Sequence, residues 1–271
     1  MKTLVLANQK GGVGKSAVAT LLSHHLAQAG KRVLALDFDH QGNFSNALRL
    51  SARPAVAAVT TDLLMTSTAV PMPEKPFVLV QSSLALLGLE RQPDRHTPFA
   101  RCLRSFLEGV DRQFDACVVD TQPNPDIRLI AAPASADFVL SPVQLTQEAF
   151  DGVTALLTHP RVGIRKIKAV LNPKLELIGL LPSMVEQTPF QRANFRQVIE
   201  TYLSLLVRTP DGFASIPRRS VIAEAQAEGA VLWEMKKTAA RDAWREIEAS
   251  ITTIAGVVAG IEAGAKHGLA A

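Results

Sequence analysis

Short, wholly apolar runs alternate along the chain with longer segments in which apolar residues recur every three or four positions. The runs Leu4-Val5-Leu6-Ala7, Val33-Leu34-Ala35-Leu36, Phe77-Val78-Leu79-Val80, Cys117-Val118-Val119 and Phe138-Val139-Leu140 have no polar face. Strands of that kind are buried on both sides, as in a parallel sheet covered by helices. Between them, Val18, Leu21, Leu22, His25, Leu26 and Ala29 predict a helix over 16–29 that Gly30 ends. Phe99, Leu103, Phe106, Leu107 and Val110 mark a second helix. Others are expected over 147–157 and 189–206, and Ala240, Trp244, Ile247, Ile251 and Ile254 form the stripe of a terminal one. A further strand is predicted at 177–184. Residues 49–76 give a weak signal and read as a variable connection with a short helix near 61–65. This alternation predicts an α/β fold, one doubly wound, mostly parallel sheet at least five strands wide. A single domain over 1–271 is expected, with 255–271 as a loosely ordered Gly/Ala-rich tail.

Chemistry enters where the first strand meets the first helix. The connecting segment is Gln9-Lys10-Gly11-Gly12-Val13-Gly14-Lys15-Ser16. Glycines allow a tight turn that brings several backbone N–H groups to one oxyanion, and the helix N-terminus adds partial positive charge. Lys15 then reaches the outer phosphates, and Ser16 offers its hydroxyl to Mg²⁺.

Two aspartates, Asp37 and Asp39, emerge at the carboxyl end of the second strand, the edge where ligands of parallel sheets bind. From the residues alone, either could instead cap the turn that follows. Asp120 ends the apolar run at 114–119, as a Walker B acid beside the loop's Mg²⁺ must.

The loop departs from the general phosphate-loop pattern, having Gln9 where Gly is usual and a second lysine, Lys10, just inside. In this form, KGGVGKS, it resembles the deviant Walker A loop of the ParA/MinD family of dimerising ATPases. The segment Asp37-Phe38-Asp39-His40-Gln41-Gly42-Asn43 resembles the family's DxDxQGN, with His40 where proline is usual. Residues 84–90 resemble its "LaglE" segment. Thr121-Gln122-Pro123 resembles its second switch, with Gln122 in place of a proline, and 213–219 resemble its last strand and "IPR" turn.

The resemblance implies a fold and a chemistry. ATP and Mg²⁺ join two subunits face to face, and Lys10 crosses to the partner's phosphates. Gly11, Gly12, Val13, Gly14, Lys15, Ser16 and Ala17 cradle the nucleotide, and Pro217 approaches the adenine. Ser16, Asp37 and Asp120 serve the metal, while Lys10, Lys15 and Asp39 serve catalysis, Asp39 orienting the attacking water. Non-specific DNA is the expected partner of the homodimer, and a ParB-like centromere-binding protein its stimulator. The function so implied is a weak, partner-stimulated ATP hydrolase for DNA partition, cytoplasmic and nucleoid-associated. The alternatives are a relative that positions a protein assembly on the nucleoid and a MinD-like membrane-cycling ATPase.

Composition trims these options. With 271 residues, 47% apolar and 20% charged, the chain supports a large core and not a disordered one. A net charge of +4 permits a polyanionic partner without requiring one. Arg218 and Arg219, and Arg192 with Arg196 one turn apart, are the DNA-contact candidates. For Arg218 and Arg219 the alternative is an ion pair with Glu224 or Glu228. A basic stretch at Arg161, Arg165, Lys166, Lys168 and Lys174 reads as a solvated helix face, with a phosphate-backbone contact as the alternative. Cys102 and Cys117 lack metal-ligand spacing, which disfavours an iron–sulfur relative. The tail lacks the bulky residues of an amphipathic membrane anchor, so no membrane is expected. Met1 leads straight into the first strand, so neither a leader nor a DNA-reading extension is expected.

Overall fold

The first apolar run, strand β1 (Lys2–Leu6), sends Leu4 and Leu6 into one core and Val5 into another on the opposite face. That alternation, with both faces apolar, needs helices on both sides. The computed structural model, which describes residues 1–67, 69–146 and 149–260, has them. In chain order the other strands are β2 (Val33–Asp37), β3 (Ala55–Thr60), β4 (Phe77–Gln81), β5 (Ala116–Asp120), β6 (Phe138–Val143), β7 (Glu176–Val185), β8 (Arg208–Thr209), β9 (Gly212–Phe213) and β10 (Ile216–Pro217). The helices are α1 (Lys15–Gln28), α2 (Asn43–Ser51), α3 (Thr61–Thr66), α4 (Leu86–Leu89), α5 (His96–Gly109) and α6 (Ile127–Ala134). They continue with α7 (Ala149–Thr158), α8 (Ile164–Val170), α9 (Pro189–Tyr202), α10 (Ser220–Glu228) and α11 (Thr238–Val258).

Eight strands form one sheet in the order β10-β7-β6-β1-β5-β2-β4-β3, and every neighbouring pair is parallel. The hairpin β8-β9 is the antiparallel exception. From β1 the chain winds first toward β3 and later back toward β10, so the strand order reverses beside β1. A crevice opens at the carboxyl ends of the strands at such a reversal. Helices α1, α2, α10 and α11 cover one face, and α3, α5, α6, α7 and α8 the other.

Several elements differ from expectation. The weak stretch at 49–76 contains strand β3, an edge strand whose Ala-rich, half-exposed sequence lacks a clear period, followed by the short helix expected near 61–65. Helix α6 carries Pro133, and α10 is short, so neither shows a long periodic stripe. Helix α9 ends at Tyr202, short of 206, and a 3-10 turn follows. The expected loose tail starts too early at 255: α11 continues to Val258 and buries Ala255 and Val258. The rest of that tail, 261–271, lies outside the described residues, as does residue 147, where a helix is expected to start.

His25 packs against the rings of Trp233 and Trp244, and His24 lies edge-on to Phe77 in the core beneath α1. Burial, with the charge of Arg53 second, pushes the His24 imidazole down to about 4. The unfolded chain takes up this proton near pH 6.5, before the folded chain does. The stability tied to neutral His24 is therefore complete above pH 6.5 and is lost as pH falls toward 4. This one group contributes a slope of at most about 1.4 kcal/mol per pH unit in that window. Urea titrations of the wild type and of His24→Leu at neutral pH and near pH 5 check this, with a shallower loss expected in the variant. Parallel pH profiles would show that His24 is not the source.

Candidate functional site

The loop between β1 and α1 is anchored before it turns. The Asn8 amide donates to the Pro142 carbonyl at 2.8 Å and to Ser141 Oγ at 3.3 Å, and its Oδ1 accepts from the Lys10 N–H at 2.8 Å. Gly12 and Gly14 adopt φ of 71° and 88°, left-handed conformations that strain any residue with a Cβ. At Gly14 a Cβ would also lie 2.8 Å from Ser183 Oγ on β7. No side chain caps the N-terminus of α1, which leaves its first N–H groups pointing to the loop. Sequence and spacing thus fold into an anion cradle, at the crevice the topology predicts.

The two lysines take different positions. Lys15 is 6% exposed and turns back along the loop, its Nζ donating to the Lys10 carbonyl at 3.3 Å. Burial lowers its pKa, opposed by the charges of Asp120 and Asp39. Lys10 instead leaves the loop, and its Nζ donates to Thr146 Oγ1 at 3.1 Å.

Three carboxylates converge below the cradle. Asp37 and Asp120 are register partners at the ends of adjacent strands β2 and β5. Ser16 Oγ donates to Asp120 Oδ2 at 2.6 Å, while Asp120 Oδ1 is buried without a partner among the described residues. Burial, then repulsion from Asp37, raises the Asp120 pKa well above its ordinary value. Asp37 is pushed up to about 6, mainly by burial and against hydrogen bonds from Ser45 and the Asp39 N–H.

A divalent cation suits this donor set, since it would hold Asp120 ionised and give its orphaned oxygen a metal-bound water to accept from. Among the described residues no group of three or more His, Cys, Asp or Glu side chains forms a metal cage. The fit is to an ion held by one hydroxyl, waters and phosphate oxygens, the habit of Mg²⁺.

Asp37 is already employed. Its Oδ1 accepts from the Asp39 N–H at 3.0 Å, and its Oδ2 from the Ser45 N–H and hydroxyl at 2.8 and 2.7 Å. It fixes the turn into α2, the capping alternative open from the sequence. Asp39 Oδ1 accepts from the Gln41 N–H at 3.0 Å, and Oδ2 makes no hydrogen bond among the described residues. His40, in the place of the usual proline, lies with its Nδ1 3.7 Å from Asp39 Oδ1.

A cavity of about 1280 Å³ runs from the loop to the last strand, and Lys15, Ala17, Asp39, Gln122, Pro217 and Gln226 are among its walls. Gln226, on the unforeseen α10, donates to the Ser16 carbonyl at 3.2 Å. A nucleotide's base end has room by Pro217 when its phosphates occupy the loop.

The basic candidates divide. Arg192 and Arg196 are exposed on α9. Arg218 and Arg219 form ion pairs, but with Glu186 and Glu246 and not with Glu224 or Glu228; Glu224 pairs with Lys237. Within the basic stretch, Arg161 pairs with Glu90 at 2.6 Å and Lys166 donates to the Pro160 carbonyl at 2.5 Å.

A parallel α/β sheet with a glycine loop, a buried lysine, a second lysine in the loop and a strand-end acid defines a phosphate-loop nucleotide-binding protein. Comparison with known proteins narrows the class. A family model described as an AAA domain matches residues 1–177. IncC of Escherichia coli is 33% identical over 260 residues, which cover 92% of this chain and 68% of IncC. The chromosome-partitioning ATPase Soj of Thermus thermophilus is 32% identical over 235 residues, 84% of this chain and 86% of Soj. Apo McdA of Cyanothece superposes with a TM-score of 0.75 at 21% identity, over 94% of this chain and 99% of McdA, a likeness of fold. The chain belongs to the ParA/MinD family of ATPases.

Proposed function

We propose that the protein is a DNA-partition ATPase that pairs face to face around ATP and Mg²⁺, binds DNA without sequence preference as a dimer, and releases it on hydrolysis. The observation that carries this reading is the division of labour between the two loop lysines. Lys15 Nζ bonds back to its own loop at the Lys10 carbonyl, whereas Lys10 Nζ reaches away from the loop to Thr146 Oγ1. Identities above 30% to IncC and Soj support the partition role.

The loop N–H groups, Lys15 and the partner's Lys10 stabilise charge on the transferring phosphoryl group. Ser16 and Asp120 would hold Mg²⁺, whose charge would offset that of the phosphate oxygens, and Asp39 positions water. Of the aspartates, Asp120 is the better placed to serve the metal, while Asp37 steadies the loop that carries Asp39. A ParB-like protein bound at a centromere-like site stimulates turnover, and the working location is the nucleoid within the cytoplasm.

Pairing doubles any basic surface. Phosphate contacts act through counterion release, so a patch too weak in one copy holds DNA in two. Arg192 and Arg196 are the exposed candidates, and the exposed pairs of Arg218 and Arg219 are weak enough to exchange carboxylate for phosphate. No helix among the described residues is long and apolar enough to cross a membrane.

The test is retention on duplex DNA with ATP or ADP. Retention is expected with ATP and Mg²⁺ alone, falling steeply between about 50 and 200 mM salt. Equal retention with both nucleotides would contradict the partition reading. A dimer that ignored DNA but bound anionic vesicles would favour the membrane-cycling alternative.

A further inference from the structure

On the sheet face away from α1, helix α6 packs on both α5 and α8, and all of its residues but Ile130 are buried. Its two neighbours are tied together across it at either end. By the start of α6, Arg161, just ahead of α8, pairs with Glu90 at 2.6 Å, donates to the Pro125 carbonyl at 3.3 Å and lies 3.4 Å from Nδ1 of His96, the first residue of α5. By the end of α6, Arg104 of α5 donates to the Ala134 carbonyl at 2.5 Å and to the Leu171 carbonyl at 3.1 Å, where α8 closes.

The strip bracketed by these two bridges is basic. It carries Arg101 on α5, one turn before Arg104, and Arg165 and Lys168 on α8, one turn apart. Arg101 and Arg165 are exposed and Lys168 is half-buried. Unlike Arg218 and Arg219, none of the three makes an ion pair among the described residues. Helices α5, α6 and α8 hold a single carboxylate, Glu108, at the far end of α5. Cations gathered without counter-charges repel one another. Beside them, Val170 and Leu171 stand 68% and 43% exposed. The nucleotide cavity includes none of these side chains.

We propose that this strip docks a protein partner through a segment that combines carboxylates with bulky apolar side chains. The charge of the strip selects an anion, and guanidinium groups such as those of Arg101 and Arg165 match carboxylates in a two-pronged geometry. Val170 and Leu171 decide between anions. A phosphate backbone would satisfy the cations alone and leave both aliphatic side chains in water, whereas an acidic segment with apolar residues covers them as well. The surface goes beyond the ATPase reading, since it lies on the flank of the sheet and asks nothing of the nucleotide.

The test uses two short fluorescent peptides of equal charge, one of Glu and Leu at helical spacing and one of Glu and Gly, with a labelled DNA duplex as the third probe. Anisotropy is read on the full chain with ADP present, so that ATP-dependent pairing does not enter. The wild type is expected to bind the Glu/Leu peptide in a salt-sensitive way and the Glu/Gly peptide at least about 3-fold more weakly. Reversing two charges, Arg101→Glu with Arg165→Glu, is expected to weaken the Glu/Leu peptide by about 10-fold or more, and the milder Arg101→Gln with Arg165→Gln by less. ADP affinity on the same samples is expected to be unchanged, which shows that the variants are folded. Peptide binding that ignores both pairs of substitutions, or no binding of either peptide, would overturn the proposal. Equal affinity for the two peptides would remove Val170 and Leu171 from the site and overturn it too. Duplex binding that falls in the charge variants while the peptides stay unbound would make the strip a DNA surface instead.

Discussion

Lys10→Ala is expected to remove stimulated ATP hydrolysis, by at least about 100-fold, while ATP still binds. Lys15 already places one ammonium in the loop, 6% exposed and bonded to the Lys10 carbonyl. Lys10 sits five residues earlier and leaves the loop in the other direction, toward Thr146 Oγ1 at 3.1 Å. A triphosphate on an opposing copy is a strong attractor for an ammonium, since charge-assisted bonds to phosphate in a closed site gain from the low dielectric. A cation supplied across an interface to a transferring phosphoryl group raises rates by about 10³- to 10⁵-fold where such devices are known. Phosphate release in the presence of DNA and stimulator reads the loss. Wild-type rates in the variant would overturn the trans-acting role.

Asp39→Ala is expected to give a protein that pairs with ATP yet turns it over about 100-fold more slowly. Geometry separates Asp39 from its neighbour: Asp37 has both oxygens engaged in the turn, while Asp39 lines the cavity with Oδ2 uncommitted. Removing it leaves the cradle, the lysines and the Asp37 anchor in place, so affinity survives and water loses its guide. Dimer mass by light scattering together with steady-state phosphate release tests the split. Normal turnover would remove Asp39 from its role, and failure to pair would recast it as an interface residue.

How far the sequence carries these arguments varies with the physics of each residue. The loop, Asp120 and the doubly wound sheet are legible because strands buried on both faces admit few polar residues, and those at their ends stand out. Strand β3 and helices α6 and α10 are not, since short or Ala-rich elements are held by their neighbours and not by their own period. Asp37 shows the limit within the site. Its place at a strand end is readable, but the hydrogen bonds from Ser45, eight residues later, exist only once α2 has folded back. Gln122 stands out as a departure from the switch pattern, but its hydrogen bond to Asp126, itself held by Arg128, is one that no spacing rule singles out. The arginine pairs have the same character: Glu186 and Glu246 are distant in sequence from Arg218 and Arg219, and nearer acids draw the eye first.

The central claim is that each nucleotide site is completed by the other copy's Lys10. Mixing Lys10→Ala with Asp39→Ala tests it directly. In a mixed pair, the Lys10→Ala copy keeps its own Asp39 and receives an intact Lys10 from its partner, so one of the two sites is whole. Random pairing then restores stimulated hydrolysis to about a quarter of the wild-type rate from two nearly inactive proteins. If Lys10 serves the nucleotide of its own chain, no mixed site is whole. Activity that never rises above that of the separate variants would contradict the shared site.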